Sequence, residues 1–291
     1  MEEKTELRIE HLSKSYGKGK KALEDFSVTL RPGIYALLGP NGAGKSTLMN
    51  ILTDGIRADS GQIFYNGQDT LKMGSAYREI LGYMPQQQGL YEEFSAVHFM
   101  EYMAALKGIK KKAAKEQIKE LFIRVGLEKE MFKKTGGFSG GMKQRLLIAQ
   151  ALLGNPKILL MDEPTAGLDP HERIRLRNFI SEIAGDKIVM IATHVVSDIE
   201  FIAKEVLLLK DGRLIHKGRV SELNAIVEGK VFELAVNDSE VEELKKKYRV
   251  SNVRREDEMC MVRIISDKKP EGECVKEVVP NLEDVYLYVT T

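Results

Sequence analysis

The run Leu37-Leu38-Gly39-Pro40-Asn41-Gly42-Ala43-Gly44-Lys45-Ser46-Thr47 decides how the rest of the chain is read. An apolar stretch, Ile34 to Leu38, empties into three glycines, a lysine and two hydroxyls. The spacing, Gly39 followed after four residues by Gly44-Lys45-Ser46, lets successive backbone N–H groups curl around an anion. The following helix aims its positive N-terminus at the same charge. In such a loop Lys45 reaches the β- and γ-phosphates of a nucleotide, and the Ser46 hydroxyl holds the Mg²⁺ that neutralises them. The surroundings agree: a strand pattern precedes the loop, and Leu48, Ile51 and Leu52 follow at helical spacing, closed by Gly55.

Composition narrows the classes. A chain of 291 residues, 43% hydrophobic, can bury one large core and leave room for a small second one. The formal net charge of +1 argues against a strongly basic nucleic-acid face, so no nucleic-acid partner is expected. Cys260 and Cys274 match no metal spacing and read as free thiols of a reducing compartment. No run of 18 or more apolar residues is present, and Met1-Glu2-Glu3-Lys4 is too polar to open a signal peptide. The expectation is a cytosolic protein that meets a membrane through a partner.

Upstream of the loop, Leu7, Ile9 and Leu12 alternate with charged residues. Ser13 to Lys21 reads as a polar turn, and Phe26, Val28 and Leu30 alternate again, giving an antiparallel pair. Tyr16, in that turn, is either an exposed aromatic or a platform on which a flat base stacks. Gln62 to Gly67 and Leu81 to Gln86 read as further strands, the second entering a polar loop at Gln86. From Phe94 to about Gly126 the pattern is helical, with Phe99, Met103 and Leu106 on one face and a solvated lysine face from Lys107 to Lys119. Then Phe138-Ser139-Gly140-Gly141-Met142 precedes a strong helix stopped by Gly154 and Pro156. Ser-Gly-Gly there is either a second anion-binding helix start or a flexible linker.

Lys157 to Pro164 carries four consecutive apolar residues of a buried parallel strand, ending in Asp162 and Glu163. A divalent metal and a water at the strand end would account for the pair, Asp162 meeting Mg²⁺ and Glu163 polarising the attacking water. The plainer alternative is two exposed loop carboxylates. Gly167-Leu168-Asp169-Pro170 is a turn and helix cap before Ile174, Leu176, Phe179, Ile180 and Ile183, with Gly185 ending the helix. Lys187 to His194 is again an apolar strand with a polar residue at its exit. His194 is thus delivered by a third strand to the edge where open parallel sheets bind ligands. His11, His98, His171 and His216 read as surface or packing residues. A hairpin, Val206 to Leu209 with Arg213 to His216, closes the main part near residue 225. Beyond it Val231 to Val236 and Cys260 to Ile265 read as strands and Glu240 to Tyr248 as a charged helix. This small α+β appendage holds no catalytic constellation, and Pro280 to Val289 is expected to dock back on a core.

Taken in this order, Tyr16, Gly39 to Thr47, Gln86, Ser139 to Gln144, Leu159 to Pro164, Gly167 to Asp169 and His194 closely resemble the ATP-binding subunits of ABC transporters. The resemblance spans residues 7 to about 225. It implies an α/β fold: a P-loop NTPase, RecA-like core with an antiparallel β subdomain and a helical subdomain at about residues 88–155. Residues 1–225 would be the ATP-binding cassette and 226–291 the α+β extension. It also implies roles. Tyr16 stacks on adenine, and Gly39, Pro40, Asn41, Gly42, Ala43, Gly44, Lys45, Ser46 and Thr47 hold the phosphates. Ser46, Asp162 and Gln86 attend Mg²⁺, Glu163 is the base, and His194 touches the γ-phosphate. Ser139, Gly140, Gly141 and Met142 would contact ATP bound to a second cassette arranged head to tail, with Asp169 across the seam. Phe138 and Met142 depart from the usual leucine and glutamine. The first should alter only packing; the second removes an amide and leaves the Ser139 hydroxyl and the helix start. Multidrug, antibiotic-peptide and sodium exporters look similar at this position, so the resemblance implies an ATPase on the cytoplasmic face that powers export through separate transmembrane permease subunits. A soluble ABC-type ATPase acting on ribosomes or DNA, or a nucleotide switch without turnover, are the alternatives.

Overall fold

The computed structural model describes residues 5–17, 19–86, 89–271 and 275–290; Cys274, read above as a free thiol, lies outside them. Strand β1 (Leu7–Tyr16) pairs antiparallel with β2 (Lys20–Leu30), and β3 (Gly33–Leu38) follows at once, leading into α1 (Lys45–Leu52). The polar stretch read as a turn is mostly strand, because paired backbone can carry exposed polar side chains to the end of a ribbon. Register shifts mark its irregularity, with His11 and Asp25 both at positive φ. Tyr16 therefore ends a strand opposite Lys20. Next come β4 (Ser60–Tyr65), β5 (Gln68–Asp69), the short helices α2 (Thr70–Met73) and α3 (Ser75–Glu79), and β6 (Leu81–Met84).

The expected single helical stretch is two helices, α4 (Ala96–Leu106) and α5 (Lys111–Arg124), broken at Gly108 with φ 71°. Leu106, expected on the packed face, is 66% exposed. Lys107, expected on the solvated face, is instead turned inward: its Nζ donates to the carbonyls of Leu81 (3.1 Å) and Leu153 (2.7 Å), tying the end of α4 to a strand and to the turn that leaves a later helix. That helix is α6 (Gly140–Ala151), followed by β7 (Ile158–Asp162), α7 (Pro170–Ala184), β8 (Ile188–Thr193), α8 (Val196–Ile199), β9 (Glu205–Lys210), β10 (Arg213–Gly218) and α9 (Val220–Asn224).

The central sheet has the order β10-β9-β3-β8-β7-β6, parallel except for β10. Alternate residues of its middle strands enter two different cores. Ile34, Ala36 and Leu38 join one with α4 to α7, while Tyr35 and Leu37 join the other with α1 and the sheet β2-β1-β4-β5. A sheet covered on both faces must be apolar at every position, which is why its strands read as unbroken hydrophobic runs.

The remaining residues form β11 (Val231–Val236), α10 (Asp238–Lys247), β12 (Arg249–Glu256), β13 (Met259–Ile265), β14 (Val275–Glu277) and α11 (Leu282–Thr290). Their sheet, β12-β13-β11-β14, shares a small core of Phe232, Leu234, Val241, Cys260, Val262 and Ile264 with α10. β12 and β14 carry no sequence signal because both are edge strands with charged, mostly exposed residues. The last helix docks as expected: Leu282 and Val285 of α11 are fully buried in the larger core, beside Ile199 and Leu223.

Candidate functional site

Three neighbouring strands of the central sheet end level with one another. Leu38 of β3 is in register with Thr193 of β8, and Ala192 of β8 with Asp162 of β7. The next residues, Gly39, His194 and Glu163, therefore leave the sheet at a single edge. A cavity of about 510 Å³ opens there. Its floor is the loop and first turn of α1, namely Asn41, Gly42, Gly44, Lys45, Ser46 and Thr47; Asp162, Glu163 and His194 form one wall, Gln86 another, and Tyr16 stands at the mouth.

The loop's glycines have two separate reasons. Gly42 and Gly44 sit at φ 84° and 104°, where a side chain is strained. At Gly39 and Gly44 the chain is also too close for a Cβ, which would lie 2.5 Å from the Leu209 carbonyl oxygen and 2.2 Å from that of Ala22. Gly39, Pro40 and Ala43 thus shape the loop from behind without lining the cavity. Lys45 is 8% exposed and its Nζ donates to the carbonyls of Gly39 (2.6 Å) and Pro40 (3.2 Å). Burial holds its pKa below the usual lysine range, against the pull of the Glu163 and Asp162 carboxylates. Burial, then the charge of Glu163, pushes the Asp162 carboxyl up, with Lys45 opposing. Lys45 and Asp162 are therefore held short of solvent compensation, which a polyanion with its counter-ion would supply.

Glu163 is the most constrained residue of the site. Its backbone is at φ 51°, uncommon for a residue with a side chain, and its N–H donates to the Ala192 carbonyl at 2.8 Å. The carboxylate, 7% exposed, accepts from Thr193 Oγ1 at 3.1 Å and lies 2.7 Å from His194 Nδ1, which donates to it in the tautomer protonated there. Thr193 is itself pinned, its Oγ1 accepting from the Val195 N–H at 3.1 Å. The carboxylate is thus aimed into the cavity by two side chains from the neighbouring strand, as a base that orients a water requires.

Ser139, Gly140, Gly141, Met142 and Asp169 are not at this cavity. They lie together elsewhere: Ser139 caps α6, its Oγ accepting from the Met142 N–H, and Asp169 caps α7, accepting from the Glu172 N–H at 2.9 Å. Both segments adjoin through Gly140 and the Gly167 carbonyl. Phe138, 6% exposed, packs in the core. The sequence reading missed Lys20 and Ala22, which line the cavity, and Thr193, which orients Glu163. Lys20 was hidden by its assignment to a turn ending at Lys21; a strand that begins at Lys20 puts Lys20 and Ala22 on one face.

A parallel sheet, a lysine-bearing glycine loop at its carboxyl edge and an acidic strand end beside it define a P-loop nucleoside triphosphatase. The ABC transporter family profile matches residues 23–166. The uncharacterised ABC transporter ATP-binding protein YxlF of Bacillus subtilis is 34% identical over 97% of this chain and 99% of its own length. The linearmycin resistance ATP-binding protein LnrL of the same organism is 32% identical over 75% of this chain and 70% of its own. Among solved structures, CbiO1 of Clostridium perfringens, part of the ABC transporter complex CbiONQ, superposes with a TM-score of 0.68 at 27% identity, covering 83% of this chain and 94% of its own. The chain belongs to the ABC transporter ATP-binding proteins, and is an ATP-binding ATPase of that family.

Proposed function

We propose that this protein couples ATP hydrolysis to export through separate transmembrane permease subunits, working as a pair of cassettes at the cytoplasmic face of a membrane. Residues 1–225 form the ATP-binding cassette and 226–291 an extension of it. The observation that carries the reading is the shared carboxyl edge of β3, β8 and β7, where Lys45, Glu163 and His194 surround one cavity. Tyr16 at its mouth stacks on adenine, and the loop N–H groups with Lys45 bind the phosphates. Glu163 takes up a proton from water in line with the γ-phosphate, held in place by Thr193 and His194. His194 donates to the carboxylate before reaction and meets the γ-phosphoryl charge as it develops.

The site suits Mg²⁺ as companion to the nucleotide. Among the described residues no group of three or more His, Cys, Asp and Glu side chains is placed to hold a metal alone. Ser46, Asp162 and Gln86 offer oxygen donors, the set that holds Mg²⁺ together with substrate phosphates. The ion supplies neutralisation of the phosphate charge when bound.

Pairing is supported by the separation of Ser139 to Met142 and Asp169 from the cavity: these motifs serve no nucleotide in their own chain, and a head-to-tail second copy gives them one. Among the described residues no helix is long and apolar enough to cross a membrane, so the membrane step falls to the permease. The likeness to LnrL, named for linearmycin resistance, supports export.

Phosphate release and nucleotide titration test the reading. Glu163→Gln is expected to bind ATP as the parent does and to release phosphate at least about a hundredfold more slowly. Lys45→Ala is expected to lose ATP binding itself. Parent-rate turnover by Glu163→Gln would remove Glu163 as the base, and recovery of the chain on ribosomes in place of permease-bearing membranes would remove the transporter assignment.

A further inference from the structure

Gly141, in the first turn of α6, is buried although its neighbours Ser139 and Gly140 are exposed. What covers it is Glu172 of α7. A Cβ on Gly141 would sit 2.8 Å from a Glu172 carboxylate oxygen and 3.0 Å from its carboxyl carbon. The same carboxylate pairs with Arg145 at 3.9 Å, and Arg145 Nε donates back to the Gly141 carbonyl at 3.3 Å. Glu172 is also the residue whose N–H the Asp169 side chain caps, at 2.9 Å. One glutamate therefore touches both motifs that stand away from the cavity: through its side chain the Ser139 helix start, through its backbone the Asp169 turn. Gly141, Arg145, Glu172 and Leu168 border one cleft, and the Glu172 side chain within it is 24% exposed, so its pair with Arg145 is partly withdrawn from solvent.

We propose that Glu172 is a positioning residue that joins the Ser139–Met142 helix start to the Asp169 turn, so that the two surfaces facing a second cassette move as one body. The inference rests on the paired-cassette reading. A negative side chain against the first turn of α6 is electrostatically favourable, and Arg145 balances it. The side chain holds the first turn from its inner side, leaving Ser139 and Gly140 outward for a partner's nucleotide. Gly141 is glycine because this glutamate occupies the place of its side chain.

The test uses the full-length chain carrying Glu163→Gln, with ATP-dependent dimerisation followed by sedimentation and monomer ATP affinity by titration. Adding Glu172→Ala is expected to weaken dimerisation by about tenfold or more while ATP affinity of the monomer stays within about twofold. Glu172→Gln, which keeps the shape, is expected to lose less than Ala. Arg145→Met combined with Glu172→Ala is expected to cost less than the sum of the two, since both remove one link. Dimerisation of Glu172→Ala at the level of the Glu163→Gln chain, or tighter dimerisation of Glu172→Gln, overturns the role. If the Glu163→Gln chain does not dimerise with ATP at all, the paired-cassette reading falls, and this inference with it.

Discussion

Lys107 shows how a single side chain can contradict the pattern it belongs to. Five lysines follow it on exposed positions of α5 and its approach, Lys110, Lys111, Lys112, Lys115 and Lys119, yet Lys107 alone points inward, onto two carbonyls at the ends of other elements. Burial lowers its pKa to about 8. In the unfolded chain it titrates near 10.5, so between these values the unfolded state binds a proton that the folded state has released. Stability contributed at this position therefore rises with pH from about 8 toward 10.5, the reverse of a lysine stabilised by a carboxylate. Urea unfolding at pH 7.5 and 9.5 is expected to show this as a smaller gain on raising pH in Lys107→Met than in the parent. Equal gains would mean that the ammonium keeps its proton. Sequence gives no sign of this lysine's role, because its partners, Leu81 and Leu153, are 26 and 46 residues away.

The same rule operates where elements meet. α11 is two-faced: Leu282 and Val285 enter the cassette core, while Asp284, with no exposure, turns toward the small sheet. There it accepts from Arg263 Nη2 at 2.7 Å and Ser251 Oγ at 2.9 Å, and it also accepts the Asn281 N–H at 2.9 Å. Arg263 in turn donates to the Val279 carbonyl and lies beside Glu233. A buried pair of this kind is not strong support in itself, since two charges have been taken out of water. Removing one partner is costly because the other is left without compensation. Glu233 and the Val279 carbonyl keep part of the compensation for Arg263, so Asp284→Ala is expected to destabilise the protein by about 2–3 kcal/mol, and the double change Arg263→Met with Asp284→Ala by less than the single one. Denaturant midpoints of the three chains check this; a single variant within about 1 kcal/mol of the parent would show that water reaches Arg263. Helix starts, by contrast, were legible: Asp169 before Pro170 and Ser139 before two glycines are local signals, and both side chains cap the helices they precede.

Across the whole molecule, the final helix is what ties the small sheet to the larger core. A chain ending at Glu277 would keep the small sheet and its core but uncover the apolar residues of α8, α9 and the turn after it, Val196, Ile199, Leu223 and Val227. Each fully buried aliphatic side chain of α11 contributes about 1.5–3 kcal/mol. That chain is expected to melt several degrees below the full-length protein and to aggregate on unfolding, as followed by calorimetry and light scattering. An unchanged melting temperature would show that α11 is dispensable to the cassette. Because α8, which begins two residues after His194, shares this patch, the loss is expected to reach the site as weaker turnover even where ATP binding persists.

What the sequence determined by itself was whatever rests on neighbours along the chain. The phosphate loop between a strand and a helix, the apolar runs that end in Asp162-Glu163 and in Thr193-His194, and the capped helix starts are all set by residues within a few positions of one another. The tertiary structure alone decided which strand ends lie side by side, that Thr193 and His194 grip Glu163, that Lys20 and Ala22 reach the cavity from a different sheet, and that Glu172 bridges two motifs. It also decided that β12 and β14 exist, since an exposed edge strand is stabilised by its neighbour's backbone and needs no apolar alternation of its own. Periodicity reports which side of an element is buried; which other element covers it depends on contacts tens to hundreds of residues apart, whose free energy appears only when the chain has closed on itself.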